Sequence, residues 1–158
     1  MATNNTEPQY PRRGFRHNAV HNEWYEQGVY QTGDATPDRE YTGNPDRPGP
    51  QKRDTVTGLL VWKVPVHDPG EPNTRRAGYD VYILSDTEPV PTTQEVSPGI
   101  RPVVFEGLTV EPRVGGQGEF KFLTQTIRAT GYAPAPQPGA RGGGAGSGSG
   151  SGTSKSAS

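Results

Sequence analysis

Cysteine is absent from this 158-residue chain, which excludes disulfide scaffolds, cysteine-based zinc sites and thiol catalysis together. Apolar residues are scarce at 28%, and no run of them approaches the roughly 20 that a membrane-spanning helix requires. The opening stretch, MATNNTEPQYPRR, has no apolar signal core. These absences lead to the expectation of a soluble, cytoplasmic protein with no membrane partner. A dominant charge is missing as well. The formal net charge is −1, with seven basic and eight acidic side chains in residues 1–54 and seven and nine in residues 55–135. Whole-chain electrostatics therefore select no partner, and any nucleic-acid contact must be local.

Glycine and proline are abundant instead, at 22 and 17 residues, close to the composition of low-complexity chains. The folded part is expected to be smaller than the chain. Residues 1–50 read as a polar, partly disordered arm and loop, 51–133 as a β core, and 134–158 as a disordered Gly/Ser/Pro-rich tail that buries nothing. A core of about 80 residues is near the lower limit for a sheet without disulfides or metal, which makes a homodimer compatible with the composition.

In the arm, Arg12, Arg13 and Arg16 are interleaved with Phe15, Trp24 and Tyr25. Such a mixture of cations and rings suits single-stranded nucleic acid, and it equally suits an arm whose aromatics cover a sheet edge. His17 and His21 have a metal-helix spacing, but Asn18 stands where the zinc-protease motif needs glutamate, and no third ligand is evident. The stretch from Gly33 to Asp54 has too many prolines and turn formers for a central strand.

Four short runs that alternate in polarity and end in turn residues read as strands: Leu59–Val66, Tyr79–Leu84, Val103–Val110 and Phe120–Ala129. In the first, Leu60, Trp62, Val64 and Val66 share the core phase, with Lys63 and Pro65 opposite, and Pro65 predicts an edge or a bulge. In the second, Tyr79, Val81 and Ile83 oppose Tyr82 and Leu84, so both faces are largely apolar and one needs a cover. Gly107 marks a bend in the third. In the fourth, Phe120, Phe122 and Arg128 oppose Lys121, Leu123 and Ile127, and neither face is plainly core. The connection from Asp86 to Gly99 holds three prolines and has room for one helical turn from Thr92. The expected fold is all-β, a small OB-like barrel of four to five strands, with a sandwich as the alternative.

Parts for catalysis are missing. VGGQGEFK lacks phosphate-loop spacing, no G-x-S-x-G elbow occurs, and His67 and Asp68 are neighbours that open a turn. A non-enzymatic protein without cofactor or metal is expected.

Four segments, QKRDTVTGLLVWKVPVHDP, VYILSD with its PVP, PVVFEGLTVEPRV and FKFLTQTIRATGY, cover about half the chain. Their order and spacing resemble the plasmid replication, integration and excision activator (Pra-like) family of actinobacterial mobile elements. The segments are also similar to the small barrel of phage helix-destabilising, single-stranded DNA-binding proteins. The resemblance implies an accessory role in replication or excision of a plasmid, integrative element or phage, beside a replication initiator protein. On that reading Lys52, Arg53, Lys63, Arg75, Arg76, Lys121 and Arg128 meet phosphates, and Tyr82, Phe120 and Phe122 stack on bases. The competing classes are a protein-interaction or regulatory β-module and a virion component, neither of which binds nucleic acid.

Overall fold

The computed structural model describes residues 15–134. Arg12, Arg13 and the tail beyond Pro134 lie outside the described residues. The fold is mostly β, with ten strands: β1 (His17–Asn18), β2 (Tyr30–Gln31), β3 (Thr36–Pro37), β4 (Val61–His67), β5 (Gly78–Leu84), β6 (Arg101–Pro102), β7 (Phe105–Glu106), β8 (Thr109–Gly115), β9 (Phe122–Ala129) and β10 (Gly131–Tyr132). Eight form one mixed sheet ordered β1-β8-β9-β5-β4-β2-β6, with β3 also on β4, and β10 pairs with β7 in a second small sheet. No ladder among the described residues joins β1 to β6, so the sheet is open.

The three long alternating runs become β4, β5 and β9. Trp62, Val64 and Val66 of β4, Val81 and Ile83 of β5, and Ile127 and Ala129 of β9 are buried on one face, because residues two apart on a strand point the same way. Removing Ile83 from water contributes on the order of 2 kcal/mol. Trp62 is core, with its indole N–H donating to Ser85 O at 2.8 Å. Pro65 sits in the interior strand β4, at the gap between its partners: β3 pairs at Lys63 and Trp62, and β2 pairs at His67 and Val66. A residue without an N–H is tolerated where the ladder is interrupted.

The third expected strand is divided. Gly107 has φ +63°, and β7 and β8, one on each side of it, replace one continuous run. A Cβ at Gly107 would collide with the Thr130 side chain, and a left-handed φ disfavours any side chain there. Gly107→Ala is expected to cost about 2 kcal/mol in urea denaturation. A midpoint unchanged from the parent would mean that the bend relaxes freely.

Residues 15–50 differ most from the expected arm and loop. Three strands come from this stretch, as does a short helix, α1 (His21–Trp24), and Tyr25, Val29 and Gln31 are buried in the same core region. The boundary expected at residue 51 therefore runs through one continuous sheet. His17 lies in β1 and His21 in α1, so they share no helical face, and His21 Nδ1 accepts the Phe105 backbone N–H at 3.1 Å. Between Asp86 and Gly99 there is no helix, and Ser97 bridges to Ile100 instead.

Candidate functional site

The outer face of the sheet is built by register. Thr36 pairs with Lys63, Lys63 with Tyr82, Tyr82 with Arg128, and Arg128 with Thr109, forming one row across five strands. Directly paired residues project to the same side, and the adjacent row, Trp62, Ile83 and Ala129, is the buried one. Three of the residues selected from the sequence, Lys63, Tyr82 and Arg128, thus become neighbours. Phe122 shares the parity of Arg128 on β9 and lies roughly 20 Å along that strand. The guanidinium carbon of Arg76 stands 4.3 Å from its ring centroid, a cation–π contact.

The cations differ in availability. Arg128 donates to Glu111 Oε2 at 2.6 Å, and Arg113 approaches Glu111 Oε1 at 3.3 Å. Burial opposes ionisation of Glu111, yet the Arg128 hydrogen bond and the two positive charges hold its carboxyl below the usual range. Lys52 Nζ is 3.6 Å from Asp38, and Arg53 is 3.5 Å from Asp86, so these two are offset at the other end of β4. Lys63, Arg75, Arg76 and Lys121 make no ion pair with any described residue. Arg75 and Arg76 close a one-turn helix, Thr74–Arg76, in which Asn73 Oδ1 accepts the Arg75 backbone N–H at 3.1 Å.

The rings divide similarly. Phe120, at the tip of the β8–β9 hairpin, is 86% exposed, and Phe122 is 40% exposed, so neither is core. Tyr82 is half-buried in the row, and burial, reinforced by Asp38 and Asp80, raises its phenol pKa. Of the arm residues, Tyr25 is core, Arg16 is locked to Asp54, and Trp24 is exposed beside Arg75 and Arg76. Leu84 and Val61, which pair across β4 and β5 on the outer side, are also buried.

A cleft of about 580 Å³ opens beside this face, with Trp24, Tyr79, Arg75, Arg76, Phe122 and Gln125 on its walls. Tyr79 Oη lies 2.9 Å from Tyr25 Oη and 3.0 Å from Asp68 Oδ2 in its floor. Burial first, then the neighbouring Tyr25, pushes the Tyr79 phenol far above its ordinary range, so both hydroxyls stay protonated and serve as fixed hydrogen-bond groups. The role of Trp24 was visible in the sequence only as an aromatic near arginines. Glu111 left no local signal, because its partner is 17 residues away.

No protein family, curated protein or solved structure matches this chain. Among the described residues no helix is long and apolar enough to cross a membrane, and no cluster of His, Asp and Glu could hold a metal ion.

Proposed function

We propose that this chain is a non-enzymatic, cytoplasmic accessory protein that binds single-stranded DNA during replication or excision of a mobile element. The observation that carries the proposal is one sheet face on which Lys63 and Tyr82 share a row and Phe122 continues the same side, edged by Arg75 and Arg76. Cations track phosphates, and rings accept any base, so the combination suits a strand of arbitrary sequence. Phosphates are assigned to Lys63, Arg75, Arg76 and Lys121, and stacking to Tyr82, Phe120 and Phe122. Lys52, Arg53 and Arg128 are secondary, because Asp38, Asp86 and Glu111 already offset them.

The OB-like barrel belongs to the same proposal. Its support is the order β8-β9-β5-β4 together with an N-terminal segment that pairs with β8 through β1 and with β4 through β2 and β3. One segment reaching both ends of a sheet is what closure requires. The mobile-element setting and a replication initiator as partner rest on the resemblance of the four β segments alone.

Fluorescence anisotropy of labelled single-stranded and duplex oligonucleotides at two salt concentrations tests the reading. Four phosphate contacts predict a log-log salt slope of about −3 on the single strand, from roughly 0.7 per contact. Absence of binding to either oligonucleotide at low salt would sink the proposal. It would favour a protein-interaction module, a reading to which exposed Val114, Phe120 and Leu123 on the hairpin also point.

A further inference from the structure

β5 and β9 are parallel neighbours, but they pair only at Tyr82 with Arg128 and Ile83 with Ala129. Both strands continue, β5 back to Gly78 and β9 back to Phe122, and the cleft opens between these diverging halves. From Phe122 to Gln125 the edge of β9 that faces β5 has no strand beside it among the described residues, while its other edge is paired to β8. An unpaired edge inside a sheet is a template for one more strand. Gln125, on that wall, has a buried side-chain oxygen with no hydrogen-bond partner among the described residues, and a buried acceptor of this kind calls for a donor.

Charge decides the occupant. Glu23, Glu26, Asp68 and Glu71 line the cleft against Arg75 and Arg76, leaving it acidic overall, and Trp24 and Phe122 add aromatic walls. The excess of carboxylates on this rim suits guanidinium or ammonium groups. We infer that the cleft is a docking site for an extended basic segment of a partner protein, which adds as a strand along Phe122–Gln125 and directs Arg or Lys side chains to the acidic rim. The cleft shares Arg75, Arg76 and Phe122 with the proposed DNA face, but its acidic rim takes a different ligand, and the inference does not depend on DNA binding.

The test uses the full chain, labelled with nitrogen-15, titrated with the peptides acetyl-Val-Arg-Val-Arg-Val-amide and acetyl-Val-Glu-Val-Glu-Val-amide. The Arg peptide is expected to shift the amides of residues 122–125 and the Trp24 indole, and to bind about tenfold more tightly than the Glu peptide. Methylating its central backbone nitrogens removes the strand donors and is expected to abolish binding. The double variant Glu23→Gln, Glu26→Gln changes only exposed side chains, and is expected to weaken the Arg peptide about fivefold with an unchanged melting midpoint. Equal affinity for the two peptides, shifts confined to other surfaces, full binding by the methylated peptide, or no binding at millimolar peptide would each overturn the inference.

Discussion

An Asp54→Asn variant is expected to lose about 3 kcal/mol of folding stability at neutral pH, a large share of the total for a domain of this size. Asp54 is 7% exposed, and its two carboxylate oxygens face the two terminal nitrogens of Arg16, with Arg16 Nη1 donating to Oδ2 at 2.8 Å. The same Oδ2 accepts the backbone N–H and the hydroxyl of Thr57, both at 2.9 Å. One carboxylate therefore ties the chain entering β1 to the turn that leads into β4. Asparagine keeps the volume but offers one oxygen and no charge, so a buried guanidinium loses its counterion. Breaking one half of such a pair is far more costly than exchanging both halves.

The pair also makes stability depend on acid. The Arg16 hydrogen bond, opposed by burial, holds the Asp54 carboxyl well below the usual carboxylate range. A depressed folded pKa means that its contribution is fully present above the unfolded value of about 3.9 and is lost as pH falls below it toward the folded value. Urea denaturation at pH 7 and pH 3 measures both effects. The parent is expected to lose stability between these points and the variant to lose less. A variant within 1 kcal/mol of the parent at pH 7, or one with the same pH dependence, would show that Arg16 and Asp54 do not form the joint.

The second large effect concerns the outer face. Replacing Phe120 and Phe122 together by alanine is expected to weaken single-stranded DNA binding by at least roughly 5- to 150-fold, the range for losing one stacked base. Both rings are exposed, so the fold should persist, as a melting curve will check. Lys63→Ala removes a single phosphate contact, and the salt slope should become shallower by about 0.7. Arg128→Ala serves as a contrast: it leaves the buried Glu111 without its closest cation and is expected to lower stability more than the salt slope. Unchanged affinity in the phenylalanine variant together with an unchanged slope for Lys63→Ala would remove DNA from this face.

Strands β4, β5 and β9 could be read from the sequence because each is a short run bounded by turn residues and rich in β-branched or aromatic side chains. Trp62, Val64 and Val66 need no distant partner to declare which side they face, whereas the buried side of β5 and β9 was decided by the sheet they join. The short strands gave no such signal. Two residues such as Tyr30 and Gln31 have no period, and they are strands only because Val66 and His67 on one side and Arg101 and Pro102 on the other complete their ladders. Buried Gln31 reads as a polar loop residue in sequence, whereas in the fold it accepts from Tyr132 Oη at 2.6 Å, a partner 101 residues away.

The lack of cysteine by itself excluded thiol chemistry, and the order of residues close together in the chain determined the all-β class and the parity that places Lys63 opposite Trp62. Tertiary structure alone decided that Lys63, Tyr82 and Arg128 form one row, that Glu111 captures Arg128, that Arg16 belongs to Asp54, and that the N-terminal stretch is part of the sheet. Those outcomes depend on strand register and on pairings between distant residues, and a one-residue slip in register would have brought different side chains together on every face.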